Sequence, residues 1–429
     1  MNYTYKHIWL INFPVMMSIL IEQLINITDA IFLGHVGEIE LGASALAGIW
    51  YLAIYMLGFG FSLGLQVVVA RRNGEQHYSE TGKTFFQGLF FLSGLAVFLC
   101  LLSKLFSPII LSRLIASAEV YHAVIDYLDG RIWGLLFSFP FLALRSFLVG
   151  ITHTKALNVA ALTAVLVNIS GNWLLIFHWD MGIAGAAIAS SFAEACSLAV
   201  LAIHVLRKMD KRLYGLSWSF DKGVLLHVFR VSVWSMFHSF IGVAPWFLFF
   251  VAIEHLGELQ LAVANILRSI STLFFVIVNS FAATTGSLVS NLIGADERGQ
   301  VFPLCSRVIR LGYAIGFPLI ALALIFHQSV IDVYTDNPVI VQTSWLPFVV
   351  MLLNYVFALP GYVYMNAVTG TGATRTAFIL QATTIAAYLL YLWGLSHCDV
   401  PLAVYWTVEY LFVIGLGVQS VIYLKHKHY

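Results

Sequence analysis

Charge is scarce in this chain. Of its 429 residues only 10% are Asp, Glu, Lys or Arg, against roughly 25% in a soluble globular domain. The 22 basic and 21 acidic side chains are too few to coat a folded body of 47.7 kDa in water. That excludes a water-soluble protein. The net charge of +1 and pI near 7.8 come with no basic stripe and no interleaved aromatics, which excludes a nucleic-acid partner. The 4 cysteines, Cys100, Cys196, Cys305 and Cys398, are scattered without metal-like spacing, so neither a disulfide framework nor a zinc site is indicated. There is no H-E-x-x-H, no Walker A loop and no Gly-rich dinucleotide fingerprint. A self-contained ATP-driven pump is thereby excluded, and no cofactor is expected. What the chain does have is apolar bulk: 60% hydrophobic residues, 15% aromatic, and a mean hydropathy of +0.88. An all-α integral membrane protein in contact with the lipid bilayer fits that balance.

A bilayer core of about 30 Å needs roughly 20 apolar residues per helix. Twelve stretches qualify: 8–33, 42–70, 84–109, 121–150, 157–179, 182–206, 225–254, 260–293, 304–328, 339–369, 377–396 and 400–424. The first is too long for a cleaved signal peptide and contains Glu22 and Asp29. With an even number of spans, both termini share a side with the loops that carry Arg71, Arg72, Lys83, Lys155, Arg207, Lys208, Lys211, Arg212 and Lys222. The opposite loops carry Glu38, Glu40, Glu119, Asp180, Glu258, Asp332, Asp336 and Asp399. The positive-inside rule then places both termini in the cytoplasm of a cell with this chain in its plasma membrane, the inner membrane of a bacterium.

The polar, basic stretch 207–224 separates an N-terminal lobe, 1–206, from a C-terminal lobe, 225–429. Sliding the chain against itself by 220 residues aligns His35-Val36-Gly37-Glu38 with His255-Leu256-Gly257-Glu258. The same offset aligns Gly74 with Gly294, Pro140 with Pro360, Gly150 with Gly370, and Thr154-Lys155 with Thr374-Arg375. Six spans is an even number, so both halves enter the membrane in the same direction. Two six-helix lobes related by a pseudo-two-fold axis along the membrane normal, with a central cleft, is the expected architecture. The repeat also fails informatively. Asp29 falls on Phe249, Asn168 on Tyr388, Asn172 on Leu392 and Ser190 on Tyr410, so the polar set is confined to the first half.

Charged side chains inside spans cost several kcal/mol unless they face a cavity or a partner. Asp29 is the most informative of them. Asn168 and Asn172 lie four apart and project from one face of the fifth span. At 1.5 Å per residue, Asp29, Asn172 and Ser190 all lie about 8–12 Å below the outer boundary. A carboxylate, two amide oxygens and a hydroxyl form a site for Na⁺ or another hard cation, or for a proton shared through hydrogen bonds. The plainer alternative is that the two Asn and Ser190 only stitch helices together. Glu22, two turns before Asp29, is either a coupled titrating group or a partner of Arg131 or Arg145. Glu194 and Glu409 are equally open as partners of Arg268, and His238 reads as a packing residue or a titrating one. Pro14, inside the first span, removes a backbone hydrogen bond and marks a hinge. Gly60-Phe61-Ser62-Leu63-Gly64 matches the nucleophile-elbow pattern, but mid-span it reads as a close-packing stripe rather than an enzyme site.

Several stretches, taken together, resemble the multidrug and toxic compound extrusion (MATE) transporters: Pro14 to Asp29-Ala-Ile-Phe-Leu-Gly34, Asn168-Ile-Ser-Gly-Asn172, Gly182-Ile-Ala-Gly185 through Ser190, and Gly370-Thr-Gly-Ala-Thr-Arg375. The resemblance covers all twelve spans. It implies a transporter, not an enzyme: an antiporter exporting organic, often cationic and amphipathic, compounds in exchange for H⁺ or Na⁺ by alternating access. A monomer is expected. Carried across, Asp29 matches the family's first-helix acid, Asn168 and Asn172 its fifth-helix polar pair, Ser190 a sixth-helix hydroxyl and Pro14 the bending proline. The seventh- and tenth-span stretches around Pro245 and Pro360 lack the acids of NorM-type members, which makes the chain resemble the DinF type. Trp246 and His238 are the expected substrate-cleft residues. A flippase of lipid-linked saccharides, from the same superfamily, is the alternative. It is disfavoured because only Arg131, Arg145 and Arg268 would be available to a pyrophosphate.

Overall fold

The computed structural model describes residues 3–427, except 35, 37, 116, 255, 335 and 336. It also leaves aside the side chains of 22, 26, 27, 30, 34, 38, 41, 42, 45, 114, 244, 247, 251, 254, 258 and 261. The described residues form helices and no strand, and 12 helical stretches are long and apolar enough to cross a membrane. Large apolar side chains such as Leu101, Leu105, Phe192, Leu390 and Trp393 are exposed, which suits a lipid-facing surface and not a wet one. The chain is a multi-span membrane protein. Its packing separates into two compact units, Phe13–Met236 and Met1–Asn12 with Phe237–Tyr429.

The first unit is built on α1 (Tyr5–Gly34, from Phe13 onward), α2 (Glu38–Gly74), α3 (Tyr78–Leu114), α4 (Ala118–Arg131), α5 (Leu135–Gly150), α6 (Lys155–Asn172), α7 (Gly182–Lys208) and most of α8 (Lys222–Ile241). Its core interleaves Leu33, Val124, Tyr127, Leu128 and Ile176 with Ala43, Ala47, Ala186 and Ala187. The alanines let backbones approach closely, which is how helices hold together in lipid. The fourth span is not one smooth helix. Ile132–Gly134 tighten to a 3₁₀ turn between α4 and α5. A Cβ at position 134 would meet Arg131 Nη1 at 2.5 Å and collide with Glu194 Oε2, so a side chain there would push these two tips aside. After α6 the helix widens into a π turn, Trp173–His178, directly beyond Asn172. Such turns recur at functional positions. The basic stretch between α7 and α8 is tied to α3: Gln87 Nε2 donates to Ser219 O at 2.7 Å, and Trp218 packs on Phe86 and Phe90.

Gly60 and Gly64 resolve the nucleophile-elbow pattern. A Cβ at Gly60 would overlap the Ser235 carbonyl, and one at Gly64 the Ser232 Cα. Ser62 Oγ is turned back onto the Phe59 carbonyl at 2.7 Å. The stripe seats α2 against α8, and no catalytic partner faces the serine among the described residues. Gly64→Ala should therefore lower the thermal midpoint of the detergent-solubilised protein by an amount equivalent to about 1–3 kcal/mol of overpacking. Ser62→Ala should leave transport unchanged. Loss of transport in the serine variant with an unchanged midpoint would revive a chemical role.

The second unit holds the start of α1 together with α9 (Ala244–Glu254), α10 (Glu258–Gly294), α11 (Val301–Ile325), α12 (His327–Asp332), α13 (Pro338–Gly370), α14 (Thr374–Ser396), α15 (Leu402–Tyr405) and α16 (Thr407–His426). The seventh span is broken at Gly242-Val243, between α8 and α9, because Pro245 in the first turn of α9 has no N–H to continue the ladder. The first turns of α1 are pinned within this unit. Thr284 Oγ1 donates to Asn12 Oδ1 at 3.0 Å and Arg307 Nη1 to the Tyr3 carbonyl at 2.9 Å. Asn337 caps α13 through its side chain, with Pro338 at the first helical position.

Candidate functional site

Asp29 lies near the end of α1, buried to 8% exposure. Three side chains from two other helices close on its carboxylate. Asn168 Nδ2 and Asn172 Nδ2, stacked one turn apart on α6, donate to Oδ1 at 3.0 and 2.6 Å. Ser190 Oγ of α7 donates to Oδ2 at 2.6 Å. Asn168 Nδ2 also reaches Ser190 Oγ at 3.0 Å, and Asn172 Nδ2 reaches Asn168 Oδ1 at 3.3 Å, so the four side chains form one connected network. The two Asn are fully buried and the Ser nearly so. Every donor points at the acid, which is the arrangement an anionic carboxylate calls for in a dry setting. Asn172 Oδ1 is buried with no hydrogen-bond partner, an acceptor available to a cation or a donor. The oxygens at hand are carboxylate, amide and hydroxyl, the set that suits a hard monovalent cation or a shared proton. Among the described residues no cluster of three or more His, Cys, Asp or Glu forms a soft-metal site.

Beside this network stands a partly buried ion pair. Arg131 Nη2 of α4 meets Glu194 Oε1 of α7 at 2.7 Å, with side-chain exposures of 13% and 23%. The Arg131 guanidinium lies 3.9 Å from the Tyr51 ring centroid, and the Tyr51 hydroxyl reaches Glu194 Oε1 at 3.4 Å. Arg131 Nη1 and Glu194 Oε2 are each buried without a partner, so the pair has spare hydrogen-bonding capacity. The spacing of these residues in sequence does not reveal their match. The two are separated by 63 positions and meet across α4 and α7, with Gly134 leaving room beside their tips.

The remaining sequence-identified residues fall elsewhere. Pro14 lies inside α1, which continues through it as a helix. Glu22 also lies on α1, but its side chain is outside the described residues. Of the two arginines read as its partners, Arg131 meets Glu194 and Arg145 lies over the Phe59 ring at 5.8 Å. Arg268 pairs with neither Glu194 nor Glu409; it sits over Phe250 at 5.2 Å. His238 is half-buried, with Nε2 unpartnered. Trp246 stacks on Phe250 and meets Trp406 edge-on. Polar character is also not confined to the first half of the repeat. Tyr388, which the 220-residue offset aligns with Asn168, turns its hydroxyl to Glu409 Oε1 at 2.9 Å.

Known proteins share both this sequence pattern and this fold. The MatE family model matches residues 14–174 and again 235–392, once in each half of the chain. A probable multidrug resistance protein NorM from Photorhabdus laumondii is 26% identical over 365 residues, covering 82% of this chain and 78% of that protein. Multidrug resistance protein NorM of Vibrio cholerae is 23% identical over 342 residues, covering 77% and 74%. Among solved structures, the outward-facing conformation of a multidrug resistance MATE family transporter of the MOP superfamily superposes with a TM-score of 0.91 at 18% identity, covering 99% and 96%. A MOP superfamily transporter from Pyrococcus furiosus gives 0.90 at 18% identity, with the same coverage. These structural likenesses carry the fold. A saccharide-lipid flippase finds no support in any of these matches. With the family model covering most of both halves, the chain belongs to the MatE family of membrane transporters, and to no class of enzyme.

Proposed function

We propose that this chain is a secondary active antiporter that exports organic, often cationic and amphipathic, compounds across a bacterial inner membrane in exchange for H⁺ or Na⁺. The carrying observation is the Asp29 network: one buried acid whose two oxygens accept from Asn168, Asn172 and Ser190 on two other helices. A coupling ion arriving at Asp29 competes with those donors, so loading the site changes how α6 and α7 hold α1. Pro14, fifteen residues earlier on the same helix, is the point at which α1 bends in response. Differential binding of the ion to the two shapes of α1 is what couples the gradient to substrate movement. The basic residues on the loops shared with the termini support a cytoplasmic location for both ends. No cofactor is needed by this scheme, and one chain carries it out as a monomer.

The test is efflux of a fluorescent organic cation from proteoliposomes containing the full chain, under an imposed Na⁺ or H⁺ gradient. Gradient-driven efflux above that of protein-free vesicles is the expected result, and the effective gradient names the ion. No efflux under either gradient would sink the antiport reading for this substrate class.

A further inference from the structure

The second unit holds a buried acid that the Asp29 scheme does not use. Glu409 lies in the first turn of α16 with 7% exposure. Its Oε1 accepts the Tyr388 hydroxyl at 2.9 Å, and among the described residues no cationic side chain pairs with it. Arg268 is instead placed over Phe250. A lone carboxylate at this depth costs several kcal/mol unless something neutralises it. Glu409 lines a cavity whose walls include Trp246, Tyr355, Tyr362, Trp406 and Asn354. Asn354 Oδ1 is a second acceptor there, buried and unpartnered, while Trp406 Nε1 is an unmet donor. One carboxylate and one unmet amide oxygen are too few for a bare metal ion, which wants six or more oxygens. Aromatic faces beside a carboxylate are instead the surroundings in which organic ammonium groups are held. The cavity, of about 60 Å³, has room for roughly four waters. That admits the head group of an amine and not a whole drug.

We infer that this cavity is a binding site for a protonated amine, whose N–H groups reach Glu409 and Asn354 while its carbon skeleton lies against the Trp246 and Trp406 rings. The sequence repeat gives the site a rationale. Tyr388 aligns with Asn168, and Glu409 neighbours Tyr410, the counterpart of Ser190, so each half keeps an acid at this level but on a different helix: α1 in one, α16 in the other. The assignment does not depend on the export reading or on Asp29.

It is tested by calorimetric titration of the purified full chain in detergent, without any gradient, with benzylamine, benzyl alcohol and benzyltrimethylammonium as probes. Benzylamine should bind roughly thirtyfold tighter than the uncharged alcohol, and roughly tenfold tighter than the quaternary ion, which has no N–H to give. Glu409→Gln, which keeps the side-chain shape and the bond to Tyr388, should lose the amine preference, and Asp29→Asn should retain it. Equal affinity for benzylamine and benzyl alcohol would overturn the assignment on wild-type protein alone, whatever the variants do. Loss of amine binding in Asp29→Asn with retention in Glu409→Gln would overturn it too, by moving the amine to the first unit. Because no transport is measured, failure here leaves the antiport reading standing, and failure of efflux leaves this one standing.

Discussion

Asp29→Asn protein, reconstituted and given the same gradients, is expected to show efflux no greater than protein-free vesicles. The substitution is nearly isosteric. Its oxygen still accepts from Asn168 and Asn172, and Ser190, a hydroxyl, turns from donor to acceptor for the new amide. The fold should therefore survive, and the unfolding midpoint should stay close to wild type. What is lost is the charge. At about 4 Å and an effective dielectric near 20, a carboxylate attracts a monovalent cation by about 4 kcal/mol, so coupling-ion affinity should fall by roughly a thousandfold. A proton has no carboxylate left to occupy at all. Gradient-driven transport should accordingly fall by roughly a hundredfold or more, since an ion that no longer distinguishes two conformations moves neither. Efflux that persists in this variant would keep the transporter and discard the site, leaving Glu194 and Glu409 as acids to examine among the described residues.

The largest expected stability effect lies at the Arg131–Glu194 pair. Replacing Glu194 by Leu leaves the Arg131 guanidinium, which packs on Tyr51 and reaches Glu194 at 2.7 Å, without its counter-charge. Breaking a fully buried pair from one side costs about 3–5 kcal/mol, because the surviving charge remains desolvated, and this partly buried pair should lie at the lower end. Arg131→Leu should cost a similar amount. The double variant should recover most of the loss, since the pair itself returns little beyond its own desolvation. The measurement is the unfolding midpoint in detergent for all four proteins. Additive losses in the double variant would mean that the two residues act separately and that their contact is incidental. Gly134→Ala offers an independent check, because its methyl group would collide with the Glu194 carboxylate and lower the midpoint without touching either charge.

The division between sequence and structure runs along the range of the physics. Span number, helical class and membrane residence follow from local sums over about 20 residues, because each stretch must satisfy its own backbone in lipid. The twelve stretches read that way agree in number with the 12 found, which are interrupted at Ile132–Gly134, Gly242-Val243, Phe326 and Trp406. Asn168 and Asn172 share a face by helical period alone, and depth along each span placed Asp29, Asn172 and Ser190 at one level. Partnership across helices obeys no such local rule, since it depends on how each helix is rotated and how closely glycine and alanine let two backbones approach. The match of Arg131 with Glu194, the π turn beyond Asn172, and the use of Tyr388 by Glu409 were decided by tertiary structure. The repeat marked Tyr388 as a departure from Asn168 and read it as loss of polarity. A phenol is apolar around its ring and polar at its tip, and only packing settles which end meets the acid.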